Sequence, residues 1–195
     1  MLYSLYKNFK CIRNRLLTLA VKSGFSNFGT HSTISHPFRS GKESRISIGS
    51  RVFIGPNSWI EVMSKDAGLD VDPVISIGNG VAISGDCTIT AIKSVIIEEN
   101  VLIARFVHIS DHYHATDRLD LPIKEQGETK ILPVRIGEGS WIGHGSVICP
   151  GVTIGRNAVV GANSVVRDDV PSACVVAGAP ARIVRMISEN QAEQK

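Results

Sequence analysis

Over long stretches of this chain every sixth residue is a β-branched aliphatic, a period that few folds can satisfy. Ile48, Ile54 and Ile60 form one such set, Ile77, Ile83 and Ile89 a second, and Ile97, Ile103 and Ile109 a third. A longer run takes in Ile136, Ile142, Ile148, Ile154, Val160 and Val166. β-branched residues favour strands over helices. The next position is mostly small, as at Gly49, Gly55, Gly78, Ser84, Ala104, Gly137, Gly143, Gly155 and Gly161. The fourth position after the aliphatic is mostly small or Val, as at Val52, Ser58, Cys87, Val107, Ser146 and Ala158.

A short strand and a turn repeated every six residues give flat faces that meet at corners. The aliphatic side chain points inward and stacks on its equivalent one coil away, about 4.8 Å along the axis. The glycine after it is expected to supply the backbone freedom of the corner. The rhythm breaks after the hexads that begin at Ile60, Ile89 and Ile109, each time after a set of three. All three interruptions then leave from one corner of a three-faced prism. Residues 26 to 40 read as an earlier, degraded coil carrying Phe28 and Ile34. The glycine and β-branched content excludes a helical reading.

A chain of 195 residues is enough for one domain with a sizeable core. A net charge of +3 and 6% aromatics argue against nucleic acid as a partner. Cys11, Cys87, Cys149 and Cys174 stand far apart without a C-x-x-C pair, so they read as reduced thiols of a cytoplasmic protein. No apolar run is long enough to span a membrane. Near the N-terminus Leu2, Leu5, Phe9, Ile12, Leu16 and Leu19 recur at helical spacing, with Lys7, Lys10, Arg13 and Arg15 between them. Two readings stay open for this segment: a cap helix packed on the domain, and a helix in peripheral contact with a membrane surface.

The stretch IGEGSWIGHGSVICPGVTIGRNAVVGANSVVRDDVP, followed by VVAGAPARIVR, resembles the hexapeptide-repeat acyltransferases over roughly residues 28 to 187. Within them the sugar O-acetyltransferases of maltose, galactoside and surface-polysaccharide type are most similar. The resemblance implies an all-β fold, a left-handed parallel β-helix with short N-terminal and C-terminal helices. Handedness comes from the resemblance alone, because parallel crossovers are ordinarily right-handed. The expected organisation is a helical cap over 1–25, the coil over 26–178 with a loop insertion at 111–133, and a tail or helix over 179–195. The resemblance also implies a homotrimer with active sites between neighbouring subunits. The flat faces carrying Phe53, Trp59 and Trp141 give an independent reason for such an assembly.

The candidate active site is ISDHYHATDRLDLPIKEQG, at the last hexad before the longest insertion. Acetyl transfer from a thioester to a neutral hydroxyl requires a base, and histidine titrates in the right range. His112 and His114 lie two apart and would point the same way in a strand, so periodicity does not choose between them. The resemblance places the general base at His112, following the aspartate. Asp111 either orients the His112 ring or binds the acceptor together with His114, against the plain alternative of a solvated corner. No cysteine or serine nucleophile is required.

The resemblance further assigns acetyl-CoA as co-substrate, with Gly143 and Ala162 along its pantetheine arm and Trp141 beside it. For Trp141 an outward aromatic covered by a neighbouring subunit is the alternative. Arg182 and Arg185 match basic positions near the coenzyme's adenine and phosphates, where a guanidinium is suited. Arg167-Asp168 departs from the commoner Thr-Lys, which makes Arg167 a substitute charge and puts the phosphate contact in doubt. His144 either narrows the channel or packs at a subunit contact.

Two rival functions share the prism. A γ-type carbonic anhydrase would need three histidines on zinc, and His108, His112 and His114 are too nearly consecutive for that geometry; no metal is expected. A non-catalytic scaffold would not need the histidine or the basic tail. Within the enzyme class the alternative acceptors are an antibiotic hydroxyl, serine, or an amine on a nucleotide sugar.

Overall fold

The computed structural model describes residues 2–63 and 72–188. Three parallel sheets wrap around one axis, and each turn of the chain contributes one strand to each sheet in turn. Face A holds 27–28, 46–48, 75–77, 95–97, 134–136 and 153–154. Face B begins with 33–34, 53–54, 82–83, 102–103, 141–142 and 159–160. Face C holds 38–41, 58–62, 88–91, 108–110, 147–148 and 165–166. The expected degraded coil at 26–40 is therefore the first turn of this parallel β-helix.

The six-residue aliphatics form three internal stacks. On face A the register aligns Ile48, Ile77, Ile97, Ile136 and Ile154. On face B it aligns Ile34, Ile54, Ile83, Ile103, Ile142 and Val160. On face C it aligns Ile60, Ile89, Ile109, Ile148 and Val166. All are buried, and together they make one continuous core. The interruptions after Ile60, Ile89 and Ile109 all leave the end of face C, so one corner of the prism carries every insertion.

The corner torsions sit elsewhere than expected. Glycines that follow the aliphatic are not in the left-handed region. That region is occupied two residues later, at Arg51, Asn57, Gly80, Asp86, Asn100, Phe106, Gly139, Gly145, Gly151, Asn157 and Asn163. The first glycine serves close approach instead: a Cβ on Gly55 would lie 2.4 Å from the carbonyl carbon and oxygen of Ser84, one coil away.

The N-terminal segment forms helix α1, Leu2–Val21, laid on the first strand of face B. The backbone of Ile34 has no preceding coil to pair with, and Thr18 substitutes for one. The Ile34 N–H donates to Thr18 Oγ1 at 3.0 Å, while the Thr18 hydroxyl donates to the Asn14 carbonyl at 2.7 Å and lies 3.2 Å from the Ile34 carbonyl. At the other end the expected C-terminal helix is corrected. Ala181–Met186 form a strand antiparallel to Cys174–Gly178, extending face B. This hairpin covers the last coil by strand pairing, which supplies the open edge with the hydrogen bonds a helix could not. The remainder of the tail, 189–195, lies outside the described residues.

Candidate active site

The chain leaves face C at Ser110 and turns out into the longest insertion, so Asp111 and His112 sit where a coil stops. The Asp111 carboxylate is fully enclosed, at 0% exposure. It accepts the backbone N–H groups of Ile92 at 2.9 Å, Lys93 at 2.7 Å and Ser94 at 2.8 Å. Those donors come from the preceding coil, where eight positions separate Ile89 from Ile97 instead of six. The two extra residues turn three successive N–H groups toward the aspartate.

The remaining bond of that carboxylate goes to His112 Nδ1, at 2.9 Å from Oδ1. A carboxylate only accepts, so Nδ1 carries the proton and Nε2 is left as the acceptor nitrogen. The His112 side chain is 9% exposed, so the ring is largely enclosed. Ser110 Oγ donates to the His112 carbonyl at 3.0 Å and lies 3.3 Å from Nδ1. Leu132, where the insertion returns, donates its N–H to the Asp111 carbonyl at 2.8 Å. A base held at one nitrogen by a buried carboxylate is equipped to take a proton at the other.

Of the two roles read for Asp111, the geometry fits orientation of the ring. In this chain the carboxylate is enclosed and its donors are in place. His114 separates from His112: it stands exposed on a small hairpin, Tyr113–His114 against Glu128–Thr129. His108 faces outward on face C, and its pKa is lowered by partial desolvation and by the His112 charge. Tyr113 is pushed up to about 12, by desolvation and then by the Cys149 thiol, which keeps its hydroxyl protonated. Among the described residues no three metal-ligating side chains gather.

The residues assigned to the co-substrate fall into two places. Arg167, Asp168, Pro180 and Arg182 line one small polar cleft of about 230 Å³. Arg182 is paired there with Asp168 at 3.1 Å, so the departure at Asp168 does remove part of the local positive charge. Arg185 lies exposed on the same tail strand. Trp141, Gly143 and Ala162 belong instead to face B and the corner after it. Trp141 is exposed. Gly143 is buried, and its missing side chain is demanded by stacking, since a Cβ would meet the Val160 oxygen at 2.5 Å. Within one chain, therefore, His112 ends face C while Trp141 lies on face B.

Two features of the site were not legible beforehand. The N–H cradle at Ile92–Ser94 had a signal, the lengthened hexad, but no residue type marks a backbone donor. At the corner after face B, Phe106 adopts φ of 61° and its ring meets His144 edge-on at 5.2 Å. An aromatic residue in that region is a true outlier.

The model of the bacterial transferase hexapeptide family, described as six repeats, matches residues 133–168. The chain is 37% identical over 157 residues to the galactoside O-acetyltransferase of Escherichia coli K12, covering 80% of this chain and 73% of that protein. It is 34% identical over 141 residues to WbbJ of the same organism, provisionally assigned as a lipopolysaccharide biosynthesis O-acetyl transferase, covering 67% and 72%. A further relative, the Mycobacterium tuberculosis protein named "Probable acetyltransferase Rv3034c", is 35% identical over 127 residues, and the chain spans only 42% of its length. Among solved structures, a hexapeptide-repeat acetyltransferase of Vibrio cholerae in complex with acetyl coenzyme A superposes with a TM-score of 0.60 at 28% identity, covering 95% of this chain and 87% of that one.

Proposed function

The chain belongs to the hexapeptide-repeat bacterial transferases, and from that premise we propose that it transfers acetyl from acetyl-CoA to a sugar hydroxyl. The observation that carries the reading is the Asp111–His112 pair, which fixes the ring through Nδ1 and leaves Nε2 as its acceptor nitrogen at a coil corner. In this mechanism Nε2 takes the proton of the attacking hydroxyl while its oxygen bonds to the acetyl carbonyl carbon. The carbon–sulfur bond breaks, and the same ring returns the proton to the departing thiolate. No covalent enzyme adduct is needed.

The paired guanidinium groups at Arg167 and Arg182 suit the phosphates of the thioester carrier, with Arg185 further along the tail. Trp141 and Ala162 suit its pantetheine arm. His112 and Trp141 lie on different faces, so a site using both joins two subunits. That supports a homotrimer, and we read the coil as left-handed, the sense carried by the family. A sugar hydroxyl is favoured because the galactoside and lipopolysaccharide relatives, both named as O-acetyltransferases, align over most of their lengths. Surface-polysaccharide assembly is the corresponding process. The unpaired cysteines fit a reducing, cytoplasmic compartment.

The test is thiol release from acetyl-CoA across a panel of soluble sugars, with His112→Ala compared on the best acceptor. Loss of a positioned base is expected to slow transfer by about 10²–10⁴-fold. A rate near that of the unmodified protein would refute the assignment of His112.

A further inference from the structure

Helix α1 is mounted the wrong way round for a cap. Among its described side chains the buried ones are polar: Asn14 donates to Ser35 Oγ at 3.1 Å, and Thr18 accepts the backbone N–H of Ile34. Its large apolar side chains point outward, with Phe9 66% exposed and Leu16 62% exposed. Ile12, Leu19 and Leu2 are likewise exposed. At about 100° per residue, the arc through Leu2, Phe9, Ile12, Leu16 and Leu19 lies diametrically opposite Asn14 and Thr18. Ile12, Leu16 and Leu19 edge an open cleft beside residues 28–33 yet stay exposed, so this apolar face is no part of the body's own core.

Charge identifies what covers it. The first acidic residue of the chain is Glu43, whereas Lys7, Lys10, Arg13, Arg15 and Lys22 all precede it. Lys10 and Arg15 flank the apolar arc on its two sides and are exposed. None of the ion pairs among the described residues involves Lys10, Arg15 or Lys22. Basic groups at the two margins of an apolar arc can stay in water and meet anionic headgroups while the arc enters the acyl boundary.

We infer that α1 docks the protein on an anionic membrane surface, with Phe9, Ile12, Leu16 and Leu19 inserted and Lys10 and Arg15 on the headgroups. The helix is long enough for interfacial binding, and no helix among the described residues is long and apolar enough to cross a membrane. The Thr18 and Asn14 bonds then act as the mount that holds the helix flat on the first coil. This reading stands independently of the catalytic one, because among the described residues no hydrogen bond or ion pair links α1 to Asp111 or His112.

The experiment is co-sedimentation of the full chain with vesicles of phosphatidylcholine alone or mixed with phosphatidylglycerol. Binding is expected on the mixed vesicles, at least about tenfold weaker on the neutral ones, and weakened further by salt. Ile12→Asp with Leu16→Asp, and separately Lys10→Glu with Arg15→Glu, should each reduce binding by roughly tenfold or more. All four positions are exposed, so circular dichroism and thiol release on a soluble sugar should not change. Equal sedimentation of the parent and both double variants would overturn the inference. It would also fall if the parent ignored vesicles while Ile12→Asp with Leu16→Asp lowered the molar mass in solution, for then another copy of the chain covers the face.

Discussion

At the scale of single residues, the molecule holds its titratable groups in contrasting ways. Asp111 is buried but supplied with three backbone donors and a ring N–H, so its enclosure is matched by bonding. His36 is the opposite case: its Nε2 is enclosed without a hydrogen-bond partner. Burial lowers the His36 pKa, and the nearby Arg13 charge lowers it further. His108 is lowered in the same direction. An unfolded chain binds protons at these two histidines near pH 6.5, whereas the folded one resists until lower pH. The stability they contribute is thus present above about 6.5 and lost as pH falls through the folded values. Thermal melts are expected to show a lower midpoint at mildly acidic pH than at neutral pH, with His36→Gln flattening the decline. An unmodified chain whose melting point did not move over that range would contradict this account.

At the scale of the element, one hexad shows what each of its positions is for. The aliphatic residue fills the core, the next position must be small because another coil passes over it, and the left-handed turn comes two residues later still. Gly55 and Asn57 illustrate the division: Gly55 meets the Ser84 backbone, while Asn57 takes φ of 60° and Gly55 needs no such angle. A glycine required only for torsional freedom would tolerate Ala wherever φ is negative. Gly55→Ala is instead expected to destabilise the protein by about 1–3 kcal/mol, the usual size of an overpacking penalty. Chemical denaturation measures this directly, and an unchanged midpoint would show that the coils can part without cost. Gly143, in the corresponding place of a later coil, is under the same constraint from Val160, so its smallness is explained before any ligand is considered.

At the scale of the whole molecule, the three faces differ in what they show to the outside. The outward residues of face B stack as Phe53, Ala82, Leu102 and Trp141, followed by Val159 and Val175. Phe53, Leu102 and Trp141 remain exposed. On face A the corresponding ladder begins with Asn27, Ser47 and Ser76 and later carries Arg135 and Thr153. Trp59 on face C, expected to need an external cover, already has an internal one: the Arg39 guanidinium lies 4.7 Å from its ring centre, and its indole N–H donates to Glu61. The apolar ladder on face B is where the proposed homotrimer should close. Leu102→Asp with Trp141→Asp is expected to convert a trimer to a monomer in sedimentation equilibrium while the far-UV spectrum is retained. A trimer that survives both charges would place the interface on another face.

The sequence alone determined the coil, its three faces, the common corner of the insertions and the position of His112 at the end of a face. Each of these follows from a local period, and an inward-pointing aliphatic every six residues leaves the chain no other way to bury its isoleucines. Tertiary structure decided what depends on neighbours one coil away. The Ile92–Ser94 donors reach Asp111 across nearly twenty residues of chain, as N–H groups that every residue but proline possesses. The tail became a strand because an open sheet edge lay beside it. Helix α1 turned its apolar face outward because Thr18 had found the unpaired backbone of Ile34 and Asn14 the neighbouring Ser35 hydroxyl. In each case the outcome was set by which hydrogen-bonding groups the last coil, or the next one, left unsatisfied.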